Sequence, residues 1–222
     1  MVESAVAVAV AVAEAPSQTV APGRDTPPGR VSPAAHLAER FAAAEVLGPR
    51  AVRIREVPFL TMVGLRAVPG TAAAARIEAH LQTALPRTCG SVSTAHGVSL
   101  LWLSPDEFLA VCDRPPARLT AELVEALQGD PGSASDLSAN RTTFELAGRS
   151  ARAVLEKGCP LDLHPRAFAV GSAYVTLIGA VPVLLWKVAE QEYRILPRSS
   201  FADFLGRWLL DAMAEFRAPE LP

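Results

Sequence analysis

The chain states one order of elements twice, and that repetition limits its folds more than any other feature. In the first half, TMVGLRAV reads as a strand and TAAAARIEAHLQTALP as a helix. Thr71 caps that helix, Ile77, Leu81 and Leu85 form its stripe, and Pro86 ends it. VSLLWLS and EFLAVCD then form a hairpin around Ser104-Pro105-Asp106. RLTAELVEALQG closes the unit as a helix, with Leu119, Leu123 and Leu127 on one side and Gly129 as its stop. In the second half, RTTFELAG is a strand with Thr142, Phe144 and Leu146 on one face, and SARAVLEKG is a helix from Ser150 to a stop at Gly158. VPVLLWKV and EYRILPR make the second hairpin, and SSFADFLGRWLLDAMAEF is the last helix. Residue by residue, LLWLSPDEFLAV faces LLWKVAEQEYRIL, which sets Trp102 against Trp186 and Phe108 against Tyr193.

Each half therefore reads β-α-β-β-α, with a period of about 85 residues, which marks a duplicated domain rather than a solenoid. The expected class is α+β: two similar units whose sheets are shared or packed back to back. The expected boundaries are a tail over residues 1–30, one domain over 31–215 with halves at about 50–130 and 136–215, and a tail over 216–222. Residues 59–128 and 141–215 should superpose. Ahead of the repeat, SPAAHLAERFAAAEVLGP predicts a helix, with Ser32 as N-cap, Pro33 at its first position, Leu37 and Phe41 on one face, and Gly48-Pro49 as stop. AVRIREV is a half-buried strand in which Val52 and Ile54 alternate with Arg53 and Arg55. The two arginines mark an exposed face or meet an anionic ligand. On the last helix, Phe201, Phe204, Leu205, Trp208, Leu209 and Ala212 fall on one stripe. Ser200 with Asp203 makes a variant capping box there, and the stripe is wide enough at Trp208 for part of it to meet a partner.

Half of the 222 residues are hydrophobic, enough for one large domain or two small ones. Lys and Arg number 21 against 23 Asp and Glu, and aromatics make up 6%. That balance argues against a nucleic-acid groove or a base-stacking platform. The three cysteines, Cys89, Cys112 and Cys159, form no C-x-x-C pair, so a reducing, cytoplasmic setting is expected rather than a disulfide framework or zinc site. MVESAVAVAVAVAEA lacks the basic start of a signal peptide, and Glu3 and Glu14 bracket a run too short to span a membrane. Residues 1–30 read as a disordered tail, or as an extended strand lying along a partner.

The densest chemistry lies in DLSANRTTFELAGRSARAVLEKGCPLDLHP, Asp136 to Pro165. Cys159 with His164 could form a nucleophile and base, but thiol chemistry usually draws its base from far along the chain, and Cys159 also suits a buried small apolar site. Asp162 and His164 could ligate a metal, but no third ligand stands nearby, and a loop role fits both. Lys157 complements a helix end, Asp136 and Ser138 suit a turn, and Arg141 could hold an anion or a partner's carboxylate. His36 reads as a helix-surface histidine, and His80 and His96 have no visible partner. No phosphate loop, nucleophile elbow or H-E-x-x-H motif is present.

Taken together, DLSANRTTFELAGRSARAVLEKGCPLDLHPRAF, LLWLSPDEFLAV, VPVLLWKV and PRSSFADFLGRWLLDA resemble the gamma subunits of heterotetrameric sarcosine oxidases, from about Val31 to Met213. The resemblance implies a complex of alpha, beta, gamma and delta subunits that demethylates sarcosine to glycine. It implies FAD, covalent FMN, NAD, zinc and tetrahydrofolate, all held by the other subunits, with oxygen as electron acceptor. It also implies a fold related to the aminomethyltransferase, or T-protein, folate-binding fold. Two departures matter. Val183, Leu184 and Leu185 stand where that fold carries its working acid. Lys157-Gly158-Cys159 matches a folate-dependent assembly protein, but Pro160-Leu161-Asp162 then breaks the motif. The expectation is a noncatalytic structural subunit with no catalytic, cofactor or metal residues of its own, and with no nucleic acid or membrane partner. The alternatives are an autonomous folate-binding one-carbon transferase using Arg141, or a folate-dependent assembly or repair protein using Cys159.

Overall fold

Strand alternation deals the apolar residues to two faces, and those faces build the layers. In the computed structural model, residues 29–218 are described. The strands are β1 (Arg53–Glu56), β2 (Thr61–Arg66), β3 (Val92–Ala95), β4 (Val98–Ser104), β5 (Glu107–Cys112), β6 (Ser133–Asp136), β7 (Phe144–Ala147), β8 (Ala173–Ile178), β9 (Val181–Ala189) and β10 (Glu192–Pro197). The helices are α1 (Ala38–Ala43), α2 (Ala72–Leu81), α3 (Pro116–Leu127), α4 (Ala151–Glu156) and α5 (Ala202–Met213). In the first half, Val63, Leu65, Leu100 and Phe108 point to α2 and α3. Their neighbours Met62, Leu101 and Leu109 point the other way, onto Leu184, Trp186 and Leu196 of the second sheet. In the second half, Val183, Leu185 and Ile195 face α1, α4 and α5. The layers thus run helices, sheet, sheet, helices, with the two sheets back to back.

The strand orders are β3-β4-β5-β2-β6 and β8-β9-β10-β7-β1. They match position for position, and the true repeat is longer than the sequence suggested: β-β-α-β-β-β-α. Its first strand is exchanged. β1 precedes β2 in the chain but pairs with β7, and β6 precedes β7 but pairs with β2. Each half therefore finishes the other half's sheet.

One residue equivalence is corrected by the register. Trp102 pairs with Phe108 and packs toward the helices, whereas Trp186 pairs with Arg194 and faces the other sheet. The partner of Tyr193 is Lys187. Phe108 and Tyr193 correspond, so Lys187, and not Trp186, occupies the place of Trp102. A one-residue slip exchanges the faces of a strand, which is why the matched tryptophans misled.

The helix ends show where local rules held. Thr71 caps α2 by accepting the Ala74 N–H at 3.3 Å. Gln82 and Gln128, both at φ 52°, end α2 and α3 in left-handed conformation, ahead of Pro86 and Gly129. Ser32 is not a cap. Its hydroxyl donates to Glu56 Oε2 at 2.5 Å, and the chain first forms a 3-10 turn, Ala35–Leu37, before α1. The Ser200–Asp203 box also fails, because Asp203 accepts from Arg207 at 2.8 Å and contacts His36 at 2.7 Å. On α5, Leu205 and Leu209 are buried, while Phe204 is 56% exposed. At the C-terminus the order reaches beyond residue 215: Phe216 is buried, with the Arg50 guanidinium 5.0 Å and the Lys157 ammonium 4.9 Å from its ring centre. The N-terminal tail reading falls outside the described residues, apart from Gly29 and Arg30.

Candidate functional site

The Asp136–Pro165 stretch is the second crossing between the sheets, followed by one helix and its loop. Asp136 Oδ1 accepts the Ser138 N–H at 2.9 Å, the turn expected from the sequence. Ser138 Oγ accepts the Met62 N–H at 3.1 Å, which ties the crossing back to β2. Leu137 covers Gly64, where a Cβ would lie 2.7 Å from Leu137 Cδ1. Asn140 O accepts the Ser199 N–H at 2.9 Å, and Arg141 donates to Leu196 O at 2.8 Å. Burial pushes the Arg141 guanidinium down from its ordinary value, and the neighbouring Arg198 adds to the shift.

The reactive residue types in this stretch go to separate structural partners. Lys157 donates to Ala212 O and lies 3.2 Å from Glu215. It therefore serves the carbonyl end of α5, not that of its own helix. Gly158 lets the Trp208 ring close in, since a Cβ there would sit 2.6 Å from Trp208 Cζ2. Cys159 is buried, with its sulfur 3.9 Å from Thr176 Oγ1. His164 is exposed; its N–H donates to Asp162 Oδ1 at 2.9 Å, and its Nδ1 accepts the Arg166 N–H at 3.2 Å. The His164 ring thus meets the Arg166 backbone, while Asp162 meets the His164 backbone. Val183 and Leu185 are core residues facing the helices, and Leu184 packs between the sheets.

The strongest electrostatic feature lies elsewhere, on the inner face of β1, β7 and β10. The register sets Arg55 and Arg194 on either side of Glu145, and Arg53 and Glu192 on either side of Ala147. Glu145 is only 3% exposed. Arg55 grips both of its oxygens, at 2.7 and 2.8 Å, and Arg53 stands 3.6 Å away. The hydrogen bond to Glu145 raises the Arg55 value, against the effect of its own burial. Arg194 stacks over Trp186 at 5.2 Å; burial lowers its value, with Glu145 and Glu192 opposing, and its Nε has no hydrogen-bond partner among the described atoms. Burial raises the Glu192 carboxyl, and repulsion from Glu145 adds to it. The sequence placed Arg53 and Arg55 on an exposed face or against an anionic ligand, and gave them no buried acid. The available signal was Glu145 itself, an acid between Phe144 and Leu146 in an otherwise apolar strand.

Two histidines read as lone residues also have partners. His80 lies 3.2 Å from Glu122, which is held by Arg118 at 2.7 Å and Arg114 at 2.5 Å. Arg118, then His80 and Arg114, hold the Glu122 carboxyl below its ordinary value. His36, on the 3-10 turn before α1, meets Asp203 of α5, and together with Arg207 it lowers that carboxyl. His96, at φ 48°, turns the β3–β4 hairpin. Lys187, 1% exposed, donates to Phe168 O at 3.3 Å and reaches Glu190 at 3.1 Å. Among the described residues no three His, Cys, Asp or Glu side chains converge to hold a metal ion, and no helix is long and apolar enough to cross a membrane.

Comparison with known proteins follows this geometry closely. The profile of the sarcosine oxidase, gamma subunit family matches residues 64–215. The sarcosine oxidase subunit gamma of Corynebacterium sp. (strain U-96) is 50% identical over 189 residues, 85% of this chain and 92% of its own length. That of Arthrobacter sp. is 50% identical over 187 residues, 84% of this chain and 91% of its own. A chain in the solved heterotetrameric sarcosine oxidase from Corynebacterium sp. U-96, in complex with pyrrole 2-carboxylate, superposes with a TM-score of 0.83 at 50% identity, covering 87% of this chain and 99% of that one. The glycine cleavage system aminomethyltransferase T from Bartonella henselae superposes at 0.58 with 15% identity over 83% of this chain and 61% of its own, a likeness of fold. A family match over most of the chain, and half-identity to relatives nearly end to end, leave one conclusion: this chain belongs to the sarcosine oxidase gamma subunit family.

Proposed function

We propose that this chain is a structural, noncatalytic subunit of a heterotetrameric sarcosine oxidase. One observation carries the proposal: a chain 50% identical to this one, and superposing on it at a TM-score of 0.83, is part of such a heterotetramer. The contacts of the chain agree with it. Cys159, His164, Lys157 and Arg141 are each engaged in holding a loop, a helix end or a strand crossing. The fold of a folate enzyme is kept, while the segment expected to carry its acid contributes Val183, Leu184 and Leu185 to packing. Phe204, Val175 and Leu177 remain exposed, as a subunit with neighbours would keep them.

In this proposal the partners are the alpha, beta and delta subunits. Those chains hold FAD, FMN, NAD and zinc and pass the one-carbon unit from sarcosine to tetrahydrofolate in the cytoplasm. The test is turnover of sarcosine by the purified chain alone and by the chain co-expressed with the other three. Activity should require assembly, and the chain alone should bind no flavin. A monodisperse single chain that turns over sarcosine, or a folate substrate, unaided would end the proposal.

A further inference from the structure

β1 is the outermost strand of the second sheet, so one of its edges meets no other strand among the described residues. The Val57 N–H donates to Thr143 O at 2.8 Å, one rung of the ladder to β7. Backbone groups alternate along an antiparallel pair, so Arg53 and Arg55 spend theirs on β7, and those of Ile54 and Glu56 point outward. Val52, next in the outward series, is already paired, exchanging hydrogen bonds of 2.9 and 3.0 Å with Val46. Ile54 and Glu56 have no such backbone partner among the described residues.

Beside this open edge runs a cleft of about 440 Å³ between β1 and the helical segment before it. The helical wall presents Ala35, Ala38 and Ala42, all exposed. Side chains that stop at Cβ leave room there for another chain's apolar groups. Across the strand, on the opposite face, Arg53 is half exposed and comes no nearer than 3.6 Å to Glu145, whose two oxygens Arg55 already occupies. Arg53, Arg55 and Arg194 against Glu145 and Glu192 leave one positive charge in excess on that face. Exposed edges are usually blunted or covered, because their free N–H and C=O groups pair with any strand that arrives. Among the described residues this edge is open beside a cleft, with the half-exposed Arg53 on the far face.

We infer that the β1 edge receives an extended segment of a partner subunit as an added strand. Alternate residues of that segment are small or apolar and enter the alanine-walled cleft. A carboxylate at an intervening position meets Arg53. The inference rests on the proposal that the chain assembles with other subunits, and it names one of the surfaces used.

The test uses the co-expressed complex. Ala38→Trp and Ala42→Trp fill the cleft from an exposed helical surface and leave the core untouched. Ala75→Trp on the exposed side of α2 is the control. Affinity of the tagged chain for the purified partner subunits should fall about tenfold or more for each cleft variant, and stay unchanged for the control. Arg53→Gln should weaken binding at low salt and lose its effect at high salt. In the wild-type complex, residue-resolved hydrogen exchange should find the outward Ile54 and Glu56 amides as slow as the inward Arg55 amide. If the complex forms with normal affinity in the cleft variants, and these two amides exchange freely, the docking inference is wrong while the subunit assignment stands. If wild-type subunits do not assemble at all, both fall. Self-association of the chain that the tryptophans abolish would assign the edge to a second copy and overturn the partner assignment.

Discussion

Replacing Arg55 by methionine should cost more stability than replacing Glu145 by glutamine, although both changes break the same ion pair. The reason is the asymmetry of exposure: the Glu145 side chain is 3% exposed and that of Arg55 is 46%. Losing Arg55 strands a carboxylate that water cannot reach. Losing Glu145 leaves a guanidinium that turns to solvent, while Arg194 keeps Glu192 nearby. Stranding one member of a buried pair costs ~3–5 kcal/mol. Arg53 and Arg194 remain beside Glu145 and reduce this, so about 2–3 kcal/mol is expected for Arg55→Met. Glu145→Gln keeps the shape and some hydrogen bonding, so about 1–1.5 kcal/mol is expected. For a domain of this size, the first corresponds to roughly 4–12 °C in melting temperature. The double variant removes the stranded charge and should recover about 1–2 kcal/mol relative to additivity. Urea unfolding of the four proteins at one concentration measures all three quantities. Equal costs for the two single variants, a larger cost for Glu145→Gln, or strict additivity would refute the burial argument.

Gly158→Ala should destabilise the α4–α5 packing by about 1–3 kcal/mol, because its Cβ would meet Trp208 at 2.6 Å and the Gly179 backbone nitrogen at 2.9 Å; thermal unfolding and Trp208 fluorescence both report it. Cys159→Ala and His164→Ala should each leave turnover of the assembled complex within about tenfold, and a thousandfold loss with normal assembly would restore the enzyme reading. Glu192→Gln should flatten the pH dependence of stability above 4.5, the ordinary value for this carboxyl. Burial raises the folded-state value, so the native chain holds that proton more tightly than the unfolded one. Stability from this group is then lost as pH rises toward the folded value, and the glutamine variant should be at least as stable near neutrality. A wild-type profile that rises through that window and is unchanged by the substitution would refute the sign.

Periodicity and punctuation carried the local structure: the stripe of α2, the Thr71 cap, the two hairpins and the turn at Asp136 were all legible, because each depends on residues a few positions apart. The duplication was legible too, because the same order of elements recurs. The family was legible from motifs that survive at half-identity. Tertiary structure alone decided which strands pair. Nothing local in RIRE says that it completes the sheet of the second half, and nothing local in SASD says that it completes the first. β3 and β6 went unread because neither has a clean two-residue period of burial, and β8 because its exposed face carries Val175 and Leu177, which hide the alternation. The same holds for single side chains. Ser32 looked like a cap until Glu56, far along the chain, claimed its hydroxyl. Lys187 follows the matched tryptophan by one residue, and only register places it inside, on the Phe168 carbonyl. Glu145 became the centre of an arginine cluster only when β1 and β10 closed on it from either side. A sequence fixes what a residue can offer its near neighbours, whereas long-range strand pairing decides which distant groups arrive to meet it.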